Sequence, residues 1–588
     1  MKTGKNFARV AVTAGLTAAM ALGNVVAPAA MAFAASGSTV TFSDGDYAMS
    51  TTYKGIQIFK ATVATTDGAA TLSNIEWASN DAKAAVLDAI KAKDTSFASD
   101  HAQDAADWLN ANTGVTGNDS KVASDNVLSL IAANLEGKSG WETTSAGSPS
   151  LSGLDAGYWL FLTAAAGTPD DSSTDAFTSP VYAVIDGVSS TTVKPKKGVP
   201  TVEKKVLDDA DASGADIKGS DKWKDVADSQ IGQEVNYKLT GTIASNYATF
   251  STYAYKFTDV LSSGLDYVGG SVEVYAVNGG TYSPIDASKY DVAWANNTLT
   301  VDFKVDGTRK GLKDVDGVTA DTKIVVFYKA KLNGSAVIGN AAEGNKGGNP
   351  NTVKLEYSNN PYAEGTGTTI EDTVADFAFK LNLNKVDQGT EKGLAGAVFT
   401  IQSADANTQG KYVASKADDA AGVAAGQLVT VTDASNLPEY VKFTSDNDGK
   451  IAVSGLDAGS YKVAEVKTPD DAYTKANPFT FTITPTYDDA TMKVTGLTAA
   501  VSESDRGRTD IAFGTLDGTA GDHKLTGTEG TGTNAAAGEV TINVGNAKSV
   551  GLPITGLDGV TLTWVAGGAV LVIGMAHLIR GRREESEE

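Results

Sequence analysis

Five residues spaced two apart, Phe377, Phe379, Leu381, Leu383 and Lys385, constrain this chain more than any other feature. A period of two puts all five on one face of a strand. A strand that buries these apolar side chains therefore buries a lysine with them. Tyr461, Val463 and Glu465 repeat the pattern with an acid, and Val540, Ile542, Val544 and Asn546 repeat it with an amide. Isolated buried charges are expensive. Three inward faces ending in an amine, an acid and an amide predict a β-sandwich whose core closes around a polar trio.

A second set lies upstream. Val202, Lys204 and Val206 share a face, as do Tyr255, Phe257 and Asp259, and Val353, Leu355, Tyr357 and Asn359. Lys204 is in phase with the core and Lys205 is its alternative; Asn360 is the alternative to Asn359, and Asn543 the out-of-phase alternative to Asn546. A third stretch, Ser152-Gly153-Leu154-Asp155-Ala156-Gly157-Tyr158, echoes Ser454-Gly455-Leu456-Asp457-Ala458-Gly459-Ser460-Tyr461, which suggests related sandwiches in series. Counted from its tyrosine, the acid position there is occupied by Leu162, so this pattern supplies no acid and predicts no crosslink in that domain.

At 588 residues the chain should hold several domains of roughly 100–200 residues each. Residues 36–193 read as a β-sandwich with an inserted helical segment: strands at 39–42, 55–60, 158–162 and 181–185, a helix over 80–92 capped by Ser79 or Asn80, and further helices at 102–109 and 121–135. Residues 194–200 form a basic linker held extended by Pro195 and Pro200. Residues 201–361 read as an all-β sandwich, and 376–548 as a further β-rich domain. The fold class is mainly β, in tandem immunoglobulin-like sandwiches.

A formal charge of −23 disfavours nucleic acid, because an acidic surface repels a phosphate backbone. The chain has no cysteine, so disulfides and thiolate chemistry are excluded. Asp209-Ala210-Asp211-Ala212-Ser213-Gly214 opens like a calcium loop, but its twelfth position is Ser220, and it reads as an acidic turn. No metal or cofactor is expected. His101, His523 and His577 are far apart, and no phosphate loop or hydrolase motif emerges, so the chain does not read as an enzyme.

Both ends carry export patterns. Lys2, Lys5 and Arg9 precede an apolar run and Ala32-Phe33-Ala34, a secretory signal over 1–34. Residues 552–588 hold Leu552-Pro553-Ile554-Thr555-Gly556, an apolar segment from about Val560 to Ile579, and the basic tail Arg580-Gly581-Arg582-Arg583. About 20 residues suffice to cross a bilayer, and the arginines favour the cytoplasmic side. This order resembles the LPXTG sorting signal of Gram-positive surface proteins, in which a sortase cysteine attacks the bond matching Thr555–Gly556.

The Lys385, Glu465 and Asn546 set, with Asn384-Lys385-Val386-Asp387 and Tyr461-Lys462-Val463-Ala464-Glu465, resembles the CnaB-type domains of Gram-positive surface proteins. The Pro200–Val206 and Tyr357–Pro361 segments resemble the middle domain of sortase-assembled major pilins. The resemblance implies autocatalytic isopeptide bonds, Lys385–Asn546 with Glu465 and Lys204–Asn359 with Asp259 as proton shuttles. Burial favours a neutral amine and a protonated acid, as that chemistry requires. Val193-Lys194-Pro195-Lys196 is similar to the pilin motif, which makes Lys196 the expected acceptor for Thr555 of the next subunit, with Lys197 next. The family further implies a pilin sortase of class C, a housekeeping sortase, identical subunits in a covalent homopolymer, tip and basal minor pilins, peptidoglycan attachment and a role in adhesion to an unidentified host ligand. A wall-anchored monomeric adhesin that binds through its first domain is the alternative.

Overall fold

The computed structural model describes residues 37–549 except 67–68, 116–121, 213–215, 341–346, 519–523 and 528–531. The export signal at 1–34 and the sorting segment at 552–588 lie outside the described residues.

Three β-rich units follow one another. In the first, strands Ser150–Leu154, Ser38–Phe42 and Ser190–Val193 form a small sheet facing the sheet of Ala69–Trp77, Thr52–Thr66, Gly157–Ala165 and Val181–Ile185. Val40, Phe42, Tyr53, Leu151, Trp159 and Phe161 fill the space between. Helices Asn80–Lys93, Ala102–Asn112 and Val127–Leu135 supply the cover for the second sheet's other face, packing Val86, Ile90, Leu109 and Ile131 against Ile56, Ile58, Leu160 and Leu162. Gly157–Ala165 is thus buried on both faces, which accounts for its nearly unbroken apolar run. Ser79 caps the first helix by accepting from the Ala82 amide at 3.0 Å. The third helix starts at Val127, later than the expected 121, because Asn126 caps it there by accepting from the Leu128 amide.

The middle sandwich places Val202–Leu207, Glu234–Gly241, Lys323–Leu332, Glu273–Asn278 and Thr281–Pro284 in one sheet. The opposing sheet runs Val226–Asp228, Asp372–Phe377, Asn349–Ser358, Tyr255–Leu261, Thr298–Phe303 and Asp291–Ala295. This unit continues past residue 361: Asp372–Phe377 pairs with Asn349–Ser358 before the chain passes Ala378 into the third unit.

In the third unit the sheet Lys450–Leu456, Phe379–Asp387, Glu539–Asn546 and Ile511–Phe513 faces a second one built on Val398–Ser403, Gly459–Lys467, Phe479–Asp488 and Lys493–Val501. Its first long strand, Phe379–Asp387, and its last, Glu539–Asn546, are parallel neighbours with Lys385 opposite Val544 and Asp387 opposite Asn546. The two echoed segments do the same job in their respective units. Gly153 and Gly455 both hold positive φ, +82° and +81°, and each turn carries the chain from one sheet of its sandwich to the other.

Candidate crosslinking sites

Alternation along Phe379–Asp387 points Lys385 into the third core, where its side chain is fully buried, as is that of Glu465. Lys385 Nζ donates to Asn546 Oδ1 and, at 3.2 Å, to the Val544 carbonyl. Glu465 Oε1 lies 3.8 Å from Lys385 Nζ and accepts from Asn546 Nδ2 at 2.9 Å. Its other oxygen accepts from the Ala476 amide at 2.6 Å, which fixes the carboxyl's orientation. One carboxyl oxygen therefore faces both the amine and the amide nitrogen. Burial pulls the Lys385 amine down to about 8, outweighing the Glu465 charge that supports its protonated form. The structure brings Lys385, Glu465 and Asn546 together. Asn543 lies elsewhere, donating to the Ala512 and Gly514 carbonyls.

In the middle unit, Lys204 reaches from one sheet across to Asp259 in the other. Its Nζ lies 2.6 and 2.7 Å from the two Asp259 oxygens and 2.9 Å from the Tyr328 hydroxyl. Tyr328 donates to Asp259 Oδ2 at 2.5 Å and accepts from Asn351 Nδ2 at 2.6 Å. Burial pulls the Lys204 amine down to about 8, and it pushes the Asp259 carboxyl up despite the adjacent lysine. Asn351 Oδ1 has no hydrogen-bond partner among the described residues.

Asn359 is not brought to this cluster. Register places Asp259 opposite Val353 and Leu261 opposite Asn351, so Asn351 is the amide beside the acid. Asn359 lies eight residues further on, about 26 Å at ~3.3 Å per residue, and its side chain donates to the Asp175 carbonyl of the first unit at 3.2 Å. Lys205 instead pairs with Asp225 at 2.6 Å, partly exposed, and Asn360 accepts from the Tyr362 amide. Asn351 shares the inward phase with Val353 and Asn359, so alternation alone cannot choose between the two amides. Tyr328 sits on a strand buried along most of its length, where alternation carries no signal.

In the linker, the Lys196 backbone is anchored by Thr178 Oγ1, at 2.6 Å from its amide, and by the Ser179 amide, 2.9 Å from its carbonyl. The Lys196 residue is half-buried. Lys197 turns inward instead and pairs with Asp44 and Asp175. Thr555 and its neighbours lie outside the described residues.

The family described as Gram-positive pilin backbone subunit 2, Cna-B-like domain, matches residues 231–361. A SpaA prealbumin-like fold domain matches residues 379–497. The two matches fall on the middle and third units, one on each. The pilin-backbone domain contains Asp259, Tyr328 and Asn351, and the SpaA domain contains Lys385 and Glu465. No curated protein matches the chain. Among solved structures, the T6 backbone pilin of Streptococcus pyogenes is 16% identical, covering 87% of this chain and 99% of its own, with a TM-score of 0.47. The major pilin SpaD of Corynebacterium diphtheriae is 15% identical over 88% of this chain and 98% of its own, TM-score 0.41. BcpA, the major pilin subunit of Bacillus cereus, is 14% identical over 87% and 99%, TM-score 0.37.

Proposed function

We propose that this chain is the major shaft subunit of a covalently polymerised, wall-anchored pilus whose sandwiches are locked by autocatalytic isopeptide bonds. The observation that carries the reading is the Glu465 oxygen facing both nitrogens, in a unit whose first and last long strands are parallel neighbours. In the third unit, the neutral Lys385 amine attacks Cγ of Asn546. Glu465 takes a proton from the attacking nitrogen and returns one to the amide nitrogen, and ammonia leaves as the C–N bond to Nζ forms. In the middle unit Lys204 and Asn351 take these roles, with Asp259 as the shuttle and the Tyr328 hydroxyl orienting the amide.

Polymerisation uses the ends. A class C pilin sortase cleaves Thr555–Gly556 and passes Thr555 to Lys196 of the next subunit; a housekeeping sortase joins the finished polymer to peptidoglycan, and tip and basal minor pilins complete a fibre serving adhesion. This head-to-tail contact is heterologous and does not close, as a filament requires. The test is co-expression of the full chain with a pilin sortase. A ladder of high-mass species that survives hot detergent is expected, with a Thr555–Lys196 junction in its peptides and none formed by Lys196→Ala. Wall-linked monomer alone overturns the shaft reading in favour of a monomeric adhesin, and a Lys196→Ala chain that still polymerises overturns the assignment of the lysine.

A further inference from the structure

A third buried lysine sits between acids, at the junction of the first unit and the linker. Lys197 Nζ lies 2.6 Å from Asp44 Oδ2 and in hydrogen-bond contact with Asp175 Oδ2. The three side chains are 4%, 13% and 0% exposed, in that order. Asp44 follows the strand Ser38–Phe42, and Asp175 lies in the loop before Val181–Ile185. The rings of Tyr47 and Tyr53 close the pocket, 5.6 and 5.8 Å from Nζ. Tyr53 donates to Asp44 Oδ2, and Thr51 donates to Asp175 Oδ2 at 2.5 Å.

One ammonium cannot neutralise two carboxylates. Like charges sharing a desolvated pocket leave one acid protonated. Burial pushes the Asp175 carboxyl up, against the pull of Lys197. Asp175 is the more deeply buried of the pair and is held by Thr51 and by the Ala176 amide at 2.8 Å. Asp44 is closer to solvent.

We propose that Lys197 and Asp175 fuse into a Lys–Asp amide, with Asp44 as the proton carrier, so that the first unit is covalently closed onto the linker. Asp44 takes a proton from the Lys197 ammonium, the freed Nζ lone pair attacks Cγ of the protonated Asp175 carboxyl, and the C–N bond forms. Asp44 passes that proton to the Asp175 hydroxyl and takes up the surplus proton left on the attacking nitrogen. The C–O bond breaks and water leaves. Amine plus acid becomes amide plus water, and no other reactant is needed. The product replaces a desolvated ion cluster, whose burial is costly, with a neutral amide.

The bond divides the roles of the two neighbouring lysines. Lys197 is consumed within the subunit, and Lys196 is left for the intermolecular link. If load enters at Lys196, as the shaft reading holds, it travels downstream and bypasses the first unit. The Lys197–Asp175 bond ties that unit to the line of load.

Tryptic mapping of the full chain after denaturation tests this. A branched species joining the 197–205 fragment to the fragment that holds Asp175, lighter by one water for this bond and carrying the Lys204 branch as well, is expected. An Asp175→Asn chain yields the same branch by expelling ammonia. In Asp44→Ala the branch is lost while the Lys204 and Lys385 branches persist in the same digest, which separates this bond from those of the shaft reading. Cleavage after Lys197 in wild-type chain, or a Lys197–Thr555 junction in sortase-built polymer, overturns the proposal. A branch that persists in Asp44→Ala overturns the role of Asp44.

Discussion

The middle and third sandwiches bury the same three functional groups in different geometries. In the third, Lys385 and Asn546 sit on adjacent parallel strands of one sheet, and the acid comes from the facing sheet. In the middle, Asp259 and Asn351 share a sheet while Lys204 crosses from the other, with the Tyr328 hydroxyl standing between amine and amide. The requirement common to both is a desolvated amine within reach of an acid and an amide. Strand order is not part of it. A crosslink at either place joins the start of a unit to its last long strands, so tension passes through the bond and bypasses most of the fold.

Removing the acids should have the largest effect. Glu465→Ala is expected to abolish the Lys385–Asn546 bond and leave the Lys204–Asn351 bond intact; Asp259→Ala is expected to do the reverse. Each variant retains one more ammonia than wild type, which intact-mass measurement reads directly. Lys385 and Asn546 are 161 residues apart. Closing a loop of that length restricts the unfolded chain by about 5 kcal/mol on the chain-entropy account, and the middle loop is of similar size. The two deletions should therefore lower stability against denaturant by comparable amounts. A bond that forms normally in Glu465→Ala removes the shuttle from the mechanism.

A pH series sharpens the same point through the amine itself. In Asn546→Ala the bond cannot form, and Lys385 remains a buried amine with a pKa near 8. An unfolded lysine keeps its proton to about 10.4. Between these values the unfolded state binds more protons, so stability should rise with pH across about 8 to 10.4. Below 8 both states are charged and the burial penalty stands in full. The gain amounts to about 3 kcal/mol, at ~1.36 kcal/mol per pKa unit. Denaturant titrations of Asn546→Ala against Lys385→Met/Asn546→Ala isolate it, and parallel curves for the two chains sink the assignment.

Much of this architecture was legible from alternation alone. Lys204, Asp259, Lys385, Glu465 and Asn546 each end or interrupt an apolar face of period two, and each is inward in the structure. The helix beginning at Asn80 followed from the Ser79 cap and helical spacing. The missed residues are those that only tertiary register selects. Asn351 and Asn359 are equivalent in phase, and antiparallel pairing with Tyr255–Leu261 decides which one meets the acid. Asp44 and Asp175 lie in irregular segments with no periodicity to read, and they converge on Lys197 only because the first unit folds back on its own linker.

The smallest expected effect separates the two asparagines. On the proposed mechanism Asn351→Ala removes the amide carbon that is the Lys204 target, and it should eliminate the middle crosslink entirely. Asn359→Ala leaves that carbon in place and should preserve the crosslink and its mass signature. Its cost is the single hydrogen bond to the Asp175 carbonyl across the first junction, about 1 kcal/mol. That loss falls on docking of the first unit, so it should appear as faster hydrogen exchange near Asp175 with the core of the middle unit unchanged. If Asn359→Ala instead abolishes the Lys204 branch and Asn351→Ala retains it, the register-based choice fails and the phase-based one stands.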